Sequence, residues 1–429
     1  MDLSSAWLLL SAALVLFMTP GLAFFYGGLV KAKSVVSMMM LSFGAMGLVA
    51  VLWVLYGFNM SFVDGSKGDW IPEIVGDAFS DFGLADTAKA AFGGGGELTL
   101  AGVIFGATFA IITVALVSGA IADRARFFPW MVFAGLFATL VYFPVAAWVF
   151  AFTVDDKGVP TFTGWVGQLS THLDIADKFT IDYAGGTAVH INAGAAALAL
   201  ALVLGKRVNF SRELNKPHNV PLVLIGAAIL WFGWFGFNGG AALATGTPGT
   251  NGSAGLIYVN TLVAPAAALL GWILVEHFKN GKATAVGAAS GIVAGLVAIT
   301  PACANLSPHW AIVLGLLAGG VCAIAIEFKY KLGFDDSLDV VGIHLVGGLI
   351  GTLFLGFFAI GTGLFTGGGN LEQLVLQAIP AFAIGLYSFI VAYILGTIID
   401  KTIGFRVKAD EEAAGIDSVL HGEEGYALN

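Results

Sequence analysis

The chain has 429 residues, 58% of them hydrophobic and 11% charged, with a formal net charge of −9 at pH 7 and a mean hydropathy of +0.89. A water-soluble protein of that length has no interior large enough to hide so much apolar surface, whereas lipid accepts it on the outside. The composition excludes a soluble globular domain, and the acidic balance gives no reason to expect a nucleic-acid partner.

A helix needs about 20 apolar residues to cross the hydrocarbon core of a bilayer. Eleven stretches qualify in chain order: 5–29, 36–61, 98–121, 128–152, 183–205, 219–244, 256–278, 283–303, 309–328, 339–362 and 376–400. The first contains LLLSAALVLF, which resembles a signal peptide, yet no Lys or Arg precedes it and the run continues through FFYGGLV to Lys31 and Lys33. It is read as a retained helix with its N-terminus outside. Counting loops from that start places fifteen of the 19 basic residues inside and leaves Lys67, Lys89, Lys157 and Lys178 outside. That split obeys the positive-inside rule at every loop, and one missed or invented helix would invert it thereafter. The expected topology is an all-α, multi-pass protein of the cell membrane with eleven spans and a cytoplasmic C-terminus. Residues 1–400 hold the spans and 401–429 form a charged cytoplasmic tail.

The outer loops 62–97 and 153–181 are polar, acidic and glycine-containing. Over the whole chain the 59 glycines are about twice the usual share of roughly 7%, which predicts helices packed backbone to backbone. Cys303 and Cys322 have neither disulfide nor metal spacing, and two packed thiols are expected. No metal and no cofactor is expected.

The fifth span opens with DYAGGTAVHINAG (182–194), which carries His190 eight residues after Asp182. The tenth opens with DSLDVVGIHLVGG (336–348), which carries His344 eight residues after Asp336. Small residues follow each histidine, and the two copies enter from opposite sides. Spans one and six echo each other as FFYGG (24–28) and FGFNGG (235–240). The pattern predicts two inverted five-span repeats, about 1–205 and 219–362, with the span 376–400 wrapping the outside.

Of the seven histidines, only His190 and His344 lie inside apolar runs, and the middle of every span is free of Lys, Arg, Asp and Glu. Each could be a core residue bonded to a carbonyl, or the two could be a pair of haem ligands. A narrow apolar pore with two neutral imidazoles that donate, accept and relay protons fits the matched placement best. The two rings are expected side by side at mid-membrane. Phe105 and Phe109 share a helix face, Phe237 lies in FGFNGG, and Trp148 with Phe150 closes the fourth span toward the outside. Gathered at one mouth, such aromatics can hold a small cation over their π faces and exclude larger solutes.

At these residues the chain resembles the ammonium transporter family, bacterial Amt type, with its methylammonium permease and Rh relatives. The signatures are FYGGLV (25–30), FAIITVALVSGAIADRARF (109–127), the two histidine segments, WFGWFGFNGG (231–240) and HGEEGYAL (421–428). The resemblance implies a homotrimer with one pore per subunit, carrying NH4+/NH3 and methylammonium. It implies His190 and His344 as twin pore histidines and Phe109 with Phe237 as a stacked gate. Phe105 would line the outer vestibule, and Asp182 would act structurally and electrostatically. Two positions depart: the vestibule serine is Ala241, and the vestibule tryptophan falls on Phe150 with Trp148 two residues away. Through the resemblance, the tail would couple subunits and meet a PII-type regulator at the cytoplasmic face. Ile416, Val419, Leu420, Tyr426 and Leu428 are apolar points expected to pack it on the inner loops, including 206–216 and 329–331. Two alternatives stand beside electrogenic transport: an electroneutral NH3 channel, and an ammonium sensor signalling through a cytoplasmic partner.

Overall fold

The computed structural model describes residues 3–64, 68–154, 160–208, 210, 216–244 and 253–426; Lys67, Lys157, Arg212 and Leu428 lie outside them. Ten helices among the described residues are long and apolar enough to cross a membrane. They are α1 Leu3–Leu29, α2 Ala32–Met60, α3 Glu97–Ile121, α4 Phe127–Phe150, α5 Gly186–Leu204, α6 Val220–Ala242, α7 Ala254–Asn280, α9 Pro308–Leu332, α10 Val341–Phe358 and α11 Glu372–Ile403. The expected span 283–303 is a shorter helix, α8 Ala285–Ile299, continued by turns. It starts on the face where Lys279 pairs with Glu327 and ends on the opposite face, where the Ile360 N–H donates to Asn305 O at 2.8 Å.

Glycine sets the closeness of the packing. A methyl group at Gly226 of α6 would lie 2.6 Å from Phe25 Cα of α1, and one at Gly21 would lie 2.6 Å from Ile229 Cγ2. The two echoing spans therefore run in contact along their length, as small-residue membrane interfaces do. Cys303 and Cys322 are free, buried thiols. Past the end of α4, strands Phe152–Val154 and Pro160–Phe162 form an antiparallel hairpin.

The loops expected on the inside converge on a buried ionic cluster. Arg207, just past α5, donates through Nε and Nη2 to the two Asp335 oxygens at 2.9 Å each, and through Nη1 to Asp123 at 2.9 Å. Burial works against the Arg207 charge, yet its two carboxylate partners raise its pKa above the ordinary guanidinium value. Arg124 donates to Asp335 O at 2.6 Å and to Ser337 Oγ at 2.5 Å. Residues whose loops alternate along the chain thus meet on one face, as the basic-residue count requires.

The tail is docked there rather than loose. It folds as two short helices, Ala409–Ala414 and Ile416–Leu420, with Ile416 buried. Asp417 accepts from Val36 N at 3.0 Å and Ser37 N at 2.8 Å, so a tail carboxylate caps the start of α2. Arg406 donates to Leu204 O at 3.0 Å and Glu412 at 2.7 Å, while Glu412 accepts from Val208 N at 2.6 Å. Tyr426 bonds His218 at 2.8 Å and Asn219 at 3.1 Å. The tail's contacts therefore include 33–37, 124–127, 204–208 and 218–219. Val419, expected to pack, is 45% exposed.

Candidate functional site

Each of the two candidate histidines sits in a π-helical turn at the start of its span: Gly186–Ile191 for His190 and Val341–Leu345 for His344. The wider turn is a common device at functional sites, because it re-aims a side chain out of the regular helical row. Both turns are held by the aspartate the sequence pattern singles out. Asp182 accepts from the Gly185, Thr187 and Ala188 amides at 3.0, 2.8 and 3.2 Å, and also from the Gly186 amide and the Thr187 hydroxyl. Asp336 accepts from Val340 N at 3.1 Å and Val341 N at 2.7 Å. A carboxylate on the first amides of a helix satisfies donors that have no partner within it. Asp182 spends its oxygens on the backbone amides of its own turn and on the Thr187 hydroxyl.

The spacing of small residues brings the turns together. A methyl group on Gly194 would lie 2.7 Å from Leu345 Cα, and one on Gly348 would lie 3.1 Å from Gly186 O and 3.3 Å from His190 Cβ. Across that seam His190 Nδ1 and His344 Nδ1 are 3.2 Å apart, with ring centroids 5.3 Å apart and 27° between planes. Both rings are buried. One proton lies between the two Nδ1 atoms, so one neutral ring donates and the other accepts. Of the two outer Nε2 atoms, one then carries a hydrogen and the other a lone pair. His190 Nε2 is buried and has no protein partner among the described residues.

Above the pair stands the expected gate. Phe109 and Phe237 stack at 4.1 Å with 24° between planes, and Phe105 meets Phe109 edge-on at 4.8 Å. Phe237 lies 6.3 Å from the His190 ring, so gate and histidines form one continuous column. Phe150 presents its edge to Phe109 at 6.3 Å. Trp148 does not join this group. Its indole N–H donates to Ile74 O at 3.0 Å, and its ring faces Tyr387 and Trp165 at 4.9 and 5.7 Å. Ala241 is buried, next to Gly240, where a methyl group would lie 2.7 Å from Phe105 Cζ.

Below the gate, both histidines border a small, apolar cavity. Its other walls are Met18, Leu22, Phe25, Ile112, Leu116, Leu230, Trp234, Phe237 and Val293. Sequence reasoning missed Trp234, whose ring lies 5.5 Å from His190 at 20°. The only signal for it was its place in WFGWFGFNGG, three residues before Phe237. Among the described residues no group of three His, Cys, Asp or Glu is placed to hold a metal ion.

A family model described as the Ammonium Transporter Family matches residues 6–426. A protein of Mycobacterium tuberculosis strain H37Rv named ammonium transporter is 51% identical, across 98% of this chain and 90% of its own length. A solved structure named Sensor Amt Protein aligns with a TM-score of 0.83 at 27% identity, covering 97% of this chain and 98% of that one. Saccharomyces cerevisiae Mep2 aligns with a TM-score of 0.79 at 31% identity, covering 95% and 91%.

Proposed function

The chain belongs to the ammonium transporter family, and from that premise we propose how its pore works. It is a multi-pass membrane protein that transports ammonium, with NH4+/NH3 as substrate. The observation that carries the mechanism is a hydrogen-bonded imidazole pair set between a stacked phenylalanine gate and an apolar cavity.

Ammonium is strongly hydrated, and an isolated ion in so apolar a conduit would cost tens of kcal/mol. A row of carbonyls could replace its water, but would admit K+ as well. Losing a proton at the mouth avoids both difficulties. Ammonium is a weak acid like an alkyl ammonium, with a pKa near 10, and desolvation favours its neutral form. Phe105, Phe109 and Phe150 recruit the cation over their faces. Phe237 and Phe109 part to pass it, and the imidazole pair takes the proton and passes NH3 into the cavity. K+ and Na+ have no proton to give up, so they stop at the histidines. If the proton crosses separately, each turnover moves one charge, worth about 2.3 kcal/mol per 100 mV.

The fuller reading places the protein in the cell membrane with its N-terminus outside, as a homotrimer of two inverted five-helix repeats plus α11. The ionic cluster and docked tail on one face support that orientation. The deciding experiment is methylammonium uptake into proteoliposomes with and without an imposed potential. Uptake that follows the potential supports separate proton transfer, and uptake blind to it makes the protein an NH3 channel. Binding without uptake would make it a sensor, the role that the name Sensor Amt Protein gives to one structural neighbour.

Two further results are expected. Ala241→Ser supplies a hydroxyl at the vestibule, and one hydrogen bond to a charged group is worth about 1.5–3 kcal/mol. Half-saturation for methylammonium should tighten at least about tenfold, and an unchanged constant would leave affinity to the aromatics alone. Removing residues 409–429 strips Asp417 from α2 and Glu412 from Arg406. The protein should still insert, with transport reduced and binding to a PII-type regulator lost. Full transport together with intact regulator binding would show the tail to be idle.

A further inference from the structure

We propose that Thr300 is a positioning residue for the pore: through Trp234 it fixes the ring plane of His190. The inference rests on the twin-histidine mechanism above.

Among the described residues His190 has one side-chain hydrogen bond, at Nδ1, and that bond leaves the ring free to turn about the axis joining it to His344. A turn of that kind carries Nε2 away from the line of the conduit, and with it the atom that meets the substrate. What opposes the turn is a flat wall. The Trp234 indole lies nearly parallel to the imidazole, 5.5 Å away at 20°. The indole would slide in its turn, were its own edge not tied. Trp234 Nε1–H donates to Thr300 Oγ1 at 2.9 Å, and the Thr300 hydroxyl donates onward to Leu296 O at 2.7 Å.

This chain has a definite direction. The Thr300 hydrogen is spent on Leu296 O, which leaves an oxygen lone pair for the indole. Thr300 is fully buried at the end of α8, so water cannot stand in for its hydroxyl. The result is a strut from the α8 backbone, through a side chain of α6, to the histidine of α5. It crosses from one proposed repeat to the other. His344 has no corresponding aromatic wall, since its ring contact is with His190 alone among the described residues. The first histidine is thus the one whose orientation is externally set.

The test compares Thr300→Val, Thr300→Ser, Trp234→Phe and the double variant W234F/T300V in methylammonium uptake by proteoliposomes. Thr300→Val keeps the volume and strands the indole N–H. Maximal uptake should fall roughly ten-fold, the factor one unmade buried hydrogen bond is worth, while half-saturation at the distant vestibule stays unchanged. Thr300→Ser restores the hydroxyl and should restore the rate. In the Trp234→Phe background there is no N–H to hold, so adding Thr300→Val should change nothing further. This last comparison serves equally if Thr300→Val alone fails to insert. Normal uptake in Thr300→Val, failure of Thr300→Ser to rescue it, or a further loss in the double variant overturns the inference. His190→Ala in the same assay separates the two readings. If it abolishes uptake while Thr300→Val does not, the strut fails and the twin-histidine mechanism stands; if it leaves uptake intact, the mechanism itself fails.

Discussion

Replacing His190 or His344 by alanine should end selective transport, with methylammonium uptake falling at least about a hundredfold. That is the lower end of what a positioned proton acceptor contributes, and here each ring also sets the state of the other. With one proton shared between the Nδ1 atoms at 3.2 Å, truncating either ring leaves its partner's Nδ1 buried and unpaired. The surviving ring is then free to adopt either tautomer, so the pairing of one Nε2 donor with one Nε2 acceptor is lost. Alanine also widens the conduit beneath the gate, from an imidazole to a methyl group. A widened site that no longer requires a proton to be given up has no reason to reject K+. Uptake of methylammonium and K+ flux should be measured on the same proteoliposome preparation. A variant that keeps both its uptake rate and its K+ exclusion would remove the histidines from the mechanism.

The pair was legible in the sequence because it violates its surroundings twice in the same way. An imidazole within an apolar run, eight residues after an aspartate, stands out at 190 and again at 344. The aspartates cap the two π-helical turns, so the spacing that looked like a motif is the reach of a side chain over one wide turn. The Phe109–Phe237 stack was expected only through the family resemblance; spacing alone put Phe105 and Phe109 one turn apart on one helix face. Trp148 was misplaced among them because proximity in sequence at a helix end says little about direction. Two residues apart on a helix means opposed faces, and Phe150 took the vestibule side while Trp148 turned to Ile74 and Tyr387. Thr300 was not legible at all, and Trp234 only as a member of WFGWFGFNGG. In spans so rich in Gly and Ala every face is apolar, so periodicity cannot separate the wall of a conduit from a contact with lipid. The short α8 has the same root: its 15-residue helix is followed by turns that hydropathy alone counts as helix.

The sequence also displayed the inner basic residues only as a sign of topology, and their partners give the second large expectation. Arg207→Met should destabilise the protein by about 3–5 kcal/mol, the usual result of removing one member of a buried, hydrogen-bonded ion pair. The guanidinium is 3% exposed and its Asp335 partner 0%, so little water is present to take its place. Its loss strands two carboxylates, Asp335 and Asp123, beside one another. Replacing Asp335 as well, in R207M/D335L, removes most of that strain and should recover much of the loss, since an apolar pair of similar volume is often neutral. The pH dependence has a fixed sign. Burial alone would raise the Asp335 carboxyl, but the Arg207 hydrogen bonds and the charges of Arg207 and Arg124 hold it below its ordinary 3.8. A carboxylate depressed in the folded state contributes its stability above the unfolded pKa and loses it as pH falls through the folded one. In Arg207→Met burial is left to raise the Asp335 carboxyl, so the variant regains stability by protonation as pH falls, while the wild type loses the contribution of its depressed carboxylate only at lower pH. The gap between the two should therefore be widest near neutrality and narrow as pH falls. Thermal unfolding in detergent measures it, and a gap that stays constant down to about pH 4 would assign the loss to other groups. The cluster sits where the end of α5 meets the residue before Asp336, which caps the second histidine's turn. Loosening it should therefore lower transport at temperatures where the variant remains folded, because the second histidine's turn adjoins that ionic joint.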